Sequence, residues 1–221
     1  MKERLDEQTM ALRVAREFRD GMVVNLGYGI PTLAANFIPE DKEIIFHSEN
    51  GCLGYGPTPE RAEDEDFHLV NATGQFATPK PGLCFFQHDE SFAMIRGRHI
   101  DLCVLGGMQV SERGDLSNWT TGLGRPGNLG GAMDLAFGAH YLICVLKHTT
   151  SDGAPKILKK CSYPLTAPGC VDLIITDIAV IEVTPDGLLL KETAPGWTSA
   201  EVQELTEPEL KIAGDLKTMA F

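Results

Sequence analysis

The sequence predicts an α/β fold with an open, mainly parallel sheet and helices on both of its faces. Its apolar runs are nearly continuous, and helical patterns stand between them. These runs occupy residues 22–26, 44–46, 69–70, 100–105, 141–146 and 173–176. Strands covered on both faces show such runs, whereas half-exposed strands alternate apolar and polar residues. A Pro-Asp-Gly turn at residues 185–187, between two short apolar segments, adds an antiparallel hairpin near the C-terminus, at one edge of the sheet.

The helical elements have recognisable starts and stops. Apolar residues at helical spacing predict a first helix over residues 7–19, which Asp20 and Gly21 end. Residues 27–31, Gly-Tyr-Gly-Ile-Pro, predict a strand-to-helix turn with the proline in the first helical position. Thr198 is predicted to cap a short helix over residues 199–205 through a capping box.

Length and charge limit the function classes. A chain of 221 residues with 43% hydrophobic content can bury one large core. A formal net charge of −12 opposes binding to nucleic acid or to anionic membranes, so neither is an expected partner. Anionic ligands would have to be attracted by backbone amides or by another chain of a complex. The N-terminus is charged and no long apolar run follows it, which predicts a cytoplasmic protein.

Cysteine and histidine patterns do not predict a metal site. The six cysteines form no Cys-x-x-Cys pair and are interpreted as reduced residues, with Cys103 and Cys144 in apolar runs. His47 stands two residues before Glu49, and the two side chains would share a face if the strand continued that far. No third ligand at metal spacing accompanies them, and a histidine at a strand end is commonly a structural hydrogen-bonding residue.

Residues 48–51, Ser-Glu-Asn-Gly, place a carboxylate directly after the apolar run at 44–46. Such a carboxylate is costly unless it is paired or used, which makes Glu49 a candidate nucleophile or base. The asparagine and glycine after it supply a polar side chain and a closely approachable backbone. The same four residues are also typical of a turn that ends a strand.

Three glycine-rich stretches supply exposed backbone amides. They are residues 27–31, 106–107 and 122–134. None has the Lys-Ser/Thr pair of a P-loop, and the first lacks the third glycine of a dinucleotide fingerprint. Each could also be a simple connector between a strand and a helix.

Taken together, residues 27–31, 48–51 and 130–134 resemble the beta subunit of the 3-oxoacid CoA-transferases. Residues 89–97, 118–119 and 161–166 are also similar to that family. The resemblance implies that residues 1–221 form one CoA-transferase superfamily domain. It implies a CoA-transferase alpha subunit as partner, in a hetero-oligomer such as A2B2 in which B denotes chains of this type. It also implies acyl-CoA and carboxylic acid substrates, and no metal or redox cofactor, since coenzyme A is itself a substrate.

The same resemblance implies that Glu49 carries CoA as a covalent thioester. The implied reaction moves CoA from a short acyl-CoA, such as succinyl-CoA, to a 3-oxoacid of the acetoacetate or 3-oxoadipate class. Backbone amides would stabilise each oxyanion that forms. The candidate oxyanion and CoA-binding residues are Asn25, Gly27, Gly29, Asn50, Gly51, Gly130, Gly131 and Ala132. Two alternatives are an acyl-CoA hydrolase that uses the same glutamate and a noncatalytic effector-binding module on the same scaffold.

Three departures from the family pattern leave the acid and the CoA contacts open. Lys147 precedes His148 where an acidic residue is usual, Arg98 replaces a common glycine, and residues 71–74 differ from the usual sequence.

Overall fold

The computed structural model describes residues 2–39, 41–122, 124 and 127–221. Residues 123, 125 and 126 of the glycine-rich stretch lie outside this part. The α-helices are α1 (Glu7–Ala15), α2 (Ile30–Leu33), α3 (His88–Arg96), α4 (Ala132–Gly138) and α5 (Ser199–Glu204). Short 3-10 turns cover Ala34–Phe37 and Ala62–Asp64. The strands are β1 (Val23–Leu26), β2 (Ile45–Ser48), β3 (Cys52–Tyr55), β4 (Pro79–Phe85), β5 (Ile100–Gly106), β6 (Gln109–Ser111), β7 (Leu116–Ser117), β8 (Ala139–Leu146), β9 (Ile157–Leu158), β10 (Leu173–Thr176), β11 (Ala179–Thr184), β12 (Gly187–Thr193) and β13 (Leu210–Thr218).

One ten-stranded sheet organises the described chain, in the order β13-β12-β11-β10-β8-β5-β1-β2-β3-β4. Its five central strands, β10, β8, β5, β1 and β2, run parallel to one another. Antiparallel strands flank this centre on both sides. The predicted mainly parallel α/β sheet is confirmed. A second sheet of three short strands, β7-β6-β9, packs against it through Val110, Leu116 and Ile157.

Helices pack on both faces of the large sheet. One buried cluster joins α1, through Met10, to sheet residues that include Val24 and Phe46. The other joins Ile95 of α3 and Leu135 of α4 to the opposite face of the same sheet. Coverage of both faces explains why the central strands are apolar at nearly every position.

The ends of the helices follow from local hydrogen bonding. The Asp6 side chain accepts the amide of Thr9 at 2.7 Å and caps α1. This helix ends at Ala15 rather than at the predicted residue 19, and residues 16–18 continue as tighter turns with amides bonded three residues back. The capping box predicted at Thr198 and Glu201 is confirmed.

Two details of the predicted strands were wrong. The run at 69–70 contributes a single bridge, Val70 to Phe76, rather than a strand. The β11-β12 hairpin is present but is not at the edge, because β13 pairs in parallel with β12 outside it. Most residues of β13 are exposed, so its sequence lacks the apolar run by which the buried strands were predicted.

The carboxyl ends of the parallel strands meet at one edge of the sheet. There β2 ends at Ser48, β1 at Leu26, β5 at Gly106 and β8 at Leu146. In open parallel sheets, ligands bind in the crevice outside these ends. The structure therefore places the candidate site here. No helix of the described residues is long and apolar enough to cross a membrane.

Two fully buried histidines should make folding sensitive to acid. Burial lowers the pKa of both His47 and His148 from 6.5 to about 4. The unfolded chain therefore binds more protons between these pH values, so stability is complete above pH 6.5 and decreases as the pH falls towards 4. We expect each histidine to cost about 3 kcal/mol of unfolding free energy over this range.

Urea unfolding at pH 7 and pH 4.5 checks this expectation. A His148→Gln variant should lose less stability on acidification than the wild type, whereas His140→Gln, at an exposed position, should behave like the wild type. Equal acid sensitivity of the wild type and His148→Gln would contradict the assignment.

Candidate active site

Glu49 lies in the tight turn between β2 and β3. The amide of Gly51 donates to the carbonyl of Ser48 at 3.0 Å and closes this turn. Gly51 has a φ of 114°, and a Cβ there would overlap the carbonyl oxygen of Phe86. Residues 48–51 are thus a strand-ending turn, and that turn presents Glu49 at the carboxyl edge of the sheet.

A cavity of about 630 Å³ adjoins the Glu49 carboxylate. The carboxyl ends of β1, β5 and β8 and the first turns of α2 and α4 form its walls. Predicted site residues that line it are Asn25, Gly27, Glu49, Gly130, Gly131 and Ala132. Its size is within the range of pockets that hold small molecules and cofactors.

Gly131, immediately before α4, makes the closest approach to Glu49. Its backbone amide donates a hydrogen bond to the Glu49 carboxylate. A Cβ at residue 131 would overlap Oε2 of Glu49 and approach Cζ of Phe92 to 2.8 Å. The backbone angles of Gly131, φ −86° and ψ 7°, are open to other residues, so the lack of space is what requires glycine.

Several groups act on the ionisation of Glu49. Partial burial raises the pKa of its carboxyl, and the negative charge of Asp134 raises it further. His88 and the Gly131 amide oppose this shift. Burial is the largest of these effects, which means that the carboxylate is poorly hydrated and is more basic than an ordinary glutamate. A poorly hydrated, basic carboxylate is well suited to nucleophilic attack.

His47 is oriented away from Glu49. Its Nδ1 lies 2.9 Å from Nδ2 of Asn25, and its Nε2 lies 3.1 Å from the hydroxyl of Ser91. The Asn25 amide also donates to the His47 carbonyl at 3.2 Å. The His47–Glu49 pair considered from the sequence is therefore absent from the described contacts. His47 instead connects the end of β2 to β1 and α3.

Several amides of the two glycine turns are already bonded within the chain. The Gly27 amide donates to the carbonyl of Val104 at 2.8 Å, as in a sheet. The Gly130 amide donates to Oδ1 of Asn128, and the Ala132 amide to the carbonyl of Leu129, each at 3.2 Å. In the second turn, Gly131 is the residue whose amide reaches Glu49.

Three predicted site residues lie outside the cavity lining. Gly29 has a φ of 87° and starts α2, where Pro31 takes the second rather than the first helical position. Gly51 closes the turn that carries Glu49. The Asn50 side chain donates to the carbonyl of Val70 at 2.9 Å. It thus holds the loop that brings Ala72 to the cavity.

Polar residues that the sequence did not predict as site residues also line the cavity, among them Asn118, Lys147 and Lys156. Asn118 donates to the carbonyl of Gly106 at 3.0 Å, at the end of β5. Lys147 directly follows β8, so the rule that sites lie at strand carboxyl ends could have predicted it. Lys156 reaches the cavity through the loop after β8. It does not directly follow a strand, so that rule could not have predicted it.

The fold and the site define a class of protein. Residues 7–205 match the coenzyme A transferase family, and the chain belongs to this family.

Three sequence relatives narrow the class. The chain is 46% identical to the beta subunit of 3-oxoadipate CoA-transferase from Acinetobacter baylyi, over 92% of this chain and 94% of that one. It is also 46% identical to the beta subunit of acetate CoA-transferase from Escherichia coli K12, over 96% of each chain. It is 48% identical to the mitochondrial succinyl-CoA:3-ketoacid coenzyme A transferase 2A of Rattus norvegicus, over 94% of this chain and 40% of the longer rat protein. The predicted resemblance to the beta subunit of the 3-oxoacid enzymes is confirmed.

A solved structure shares the fold. The acyl-CoA transferase YdiF of Escherichia coli O157:H7, in a thioester complex with CoA, superimposes with a TM-score of 0.75. The alignment covers 100% of this chain and 44% of that one, at 21% sequence identity. This likeness supports the CoA-transferase fold. The sequence relatives support an enzyme of the CoA-transferase type over a noncatalytic module.

Proposed function

We propose that this chain transfers CoA from a short acyl-CoA to a 3-oxoacid through a covalent thioester on Glu49. The observation that carries the proposal is the Glu49 carboxylate, which adjoins a cavity of about 630 Å³ and accepts the Gly131 amide. The names of the sequence relatives, which include 3-oxoadipate and 3-ketoacid as substrates of those proteins, support the substrate class.

The proposed reaction has two half-reactions. One oxygen of Glu49 attacks the carbonyl carbon of the acyl-CoA, the carbon–sulfur bond breaks, and CoA leaves as a thiolate. The product is an anhydride between the acyl group and Glu49. The thiolate then attacks the Glu49 carboxyl carbon, and the first acid leaves as a carboxylate. The 3-oxoacid reverses these steps on the resulting thioester, so no metal or redox cofactor is needed.

The Gly131 amide has a specific role in this scheme. When the thiolate adds to the Glu49 carboxyl carbon, negative charge develops on a Glu49 oxygen. Because the Gly131 amide already bonds this carboxylate, it can stabilise that charge without rearrangement. The oxyanion of the first attack forms on the substrate instead. Tyr28 and Gly29, whose amides form no hydrogen bond within the described residues, are the candidate donors there.

Mass spectrometry of the assembled enzyme tests the proposed function. Incubation with an acyl-CoA should add the mass of one CoA to this chain, and an acceptor acid should remove it. Removal by water at the same rate without acid would instead support the hydrolase. The absence of any adduct during active turnover would overturn the covalent mechanism.

We further propose that a CoA-transferase alpha subunit completes the enzyme. The Escherichia coli relative is named as a beta subunit, and this chain spans only 40% of the rat protein. Apolar side chains at the cavity also lack cover: Tyr28, which lines it, is 79% exposed, and Met133, in the first turn of α4, is 42% exposed. Apolar groups so exposed are typical of interaction surfaces.

Expression with and without the alpha subunit tests this pairing. We expect the lone chain to show little CoA transfer and the co-expressed chains to form a stable hetero-oligomer. Size-exclusion chromatography with light scattering measures the assembly, and a transfer assay on the same fractions measures activity. Full activity of the purified chain alone would contradict the requirement for a partner.

A further inference from the structure

Two lysines share the cavity with Glu49. Lys147 directly follows β8, and Lys156 precedes β9. The backbone amide of Lys156 donates to the carbonyl of His148 at 3.1 Å, which brings the two lysine backbones close together. Both side chains are half-buried, and both line the cavity.

No carboxylate of the described residues forms an ion pair with either lysine. Lys147 Nζ donates to the carbonyl of Leu5 at 3.2 Å. Asp177, whose charge acts on Lys156, is itself engaged: it pairs with Arg4 at 3.1 Å and accepts the amide of His148 at 2.7 Å. The charge of Lys147 also acts on Asp6, where it helps to lower the pKa of that carboxyl. Two cationic side chains therefore line the cavity without an ion pair among the described residues.

The electrostatics of Lys156 agree with this description. Burial lowers the pKa of its ammonium group, and the positive charge of Lys147 lowers it further, while Asp177 opposes the shift. An anion bound between the two lysines would relieve both unfavourable effects.

The strand order sets the backbone distance between Lys147 and Glu49. Glu49 follows β2 and Lys147 follows β8, and β1 and β5 lie between these strands. Three strand spacings amount to about 14 Å at the backbone. Two extended side chains and a short substrate between them fill such a distance. The cavity floor between them is formed by Leu105, Gly106 and Gly107, which carry no charge.

We propose that Lys147 and Lys156 bind the distal carboxylate of a dicarboxylic substrate while its reacting carboxyl group or thioester lies at Glu49. The uncharged floor would then contact the methylene chain. This inference rests on the proposed function and extends it, because it makes the enzyme selective for succinyl-type donors and dicarboxylic 3-oxoacids over monocarboxylic analogues. A charge-assisted hydrogen bond to a carboxylate supplies the selectivity.

Paired substrates test the inference on the assembled enzyme. We expect Lys156→Met to lower kcat/KM for succinyl-CoA by about 10- to 100-fold, the loss typical of a charged hydrogen bond. Butyryl-CoA has the same carbon chain length without the carboxylate, and its kcat/KM should change little. Lys147→Met should show the same pattern, and Lys160→Met, at an exposed lysine, should change neither value. When the acceptor is varied, the two lysine variants should lower kcat/KM for 3-oxoadipate and leave kcat/KM for acetoacetate unchanged.

Each other outcome overturns the inference. Equal losses with succinyl-CoA and butyryl-CoA would assign the lysines to the CoA phosphates or to the fold, and melting temperature and subunit stoichiometry would separate these two. Unchanged kinetics in both variants would also refute it, as would a wild-type preference for butyryl-CoA. Failure of the proposed function itself is distinguishable, because the wild type would then form no thioester with either donor.

Discussion

Replacing Glu49 with glutamine should abolish the CoA adduct and lower CoA transfer by at least about four orders of magnitude. Losses of this size are typical when a covalent nucleophile is removed. The amide is nearly isosteric with the carboxylate but cannot attack the acyl-CoA, so folding and assembly should persist. Intact-mass measurement and a transfer assay on the same preparation give both results.

A matched control is available on the segment that leads into β2. Glu43 is exposed there, and Glu43→Gln should retain full activity. The Glu49→Gln protein must also be checked for deamidation, since a small fraction of restored glutamate would mimic residual activity. Transfer at the wild-type rate by verified, undeamidated Glu49→Gln would refute the assignment of the nucleophile.

Replacing Gly131 with alanine should lower the rate of thioester formation by about a hundredfold or more. The added methyl group would overlap Oε2 of Glu49 and must displace either the carboxylate or the amide that bonds it. Loss of one oxyanion donor typically costs at least this factor. Gly131→Val should have a larger effect, because its two further methyl groups add to the close contact that a Cβ alone already makes with Phe92. Single-turnover transfer of CoA to Glu49 measures the chemical step directly.

Gly130 provides the comparison for this prediction. Its φ is 52°, and an added Cβ would lie 3.8 Å from Oε1 of Glu49, an ordinary contact. Gly130→Ala should therefore lower stability by about 1 kcal/mol through backbone strain, with a smaller effect on the rate. If Gly131→Ala lowers the melting temperature and disrupts assembly but forms the thioester at the normal rate, Gly131 serves packing rather than chemistry.

The central fold could be predicted because burial on both faces leaves a simple pattern in the sequence. The run at 173–176 corresponds to β10 residue for residue. The outer strands carry no such signal: β4 is mostly exposed, and β13 packs only part of its length. Their pairing depends on contacts with distant strands, which local periodicity does not encode.

The site residues also divide into those that the local sequence predicts and those that depend on contacts between distant parts of the chain. Glu49 was predicted because it follows a buried run and precedes a glycine turn. The sequence did not predict which of Gly130 and Gly131 approaches Glu49. This depends on which amide faces the carboxylate after α4 has packed against α3. Lys147 and Lys156 are far enough apart in sequence that only the return of the loop to β9 places them in one cavity.

The central strands are parallel, so their carboxyl ends form the edge of the sheet at which the reaction takes place. Their amino ends form the opposite edge, where the protein can be modified without disturbing the site. His99 precedes β5 and His140 lies at the start of β8, so both are at the amino edge, and both are exposed. Strands of this length put these positions about 20 Å from the crevice. A cysteine-linked fluorophore or a surface tether at either position should leave the cavity accessible. The opposite ends of the same strands thus offer an attachment site for following CoA transfer by optical methods.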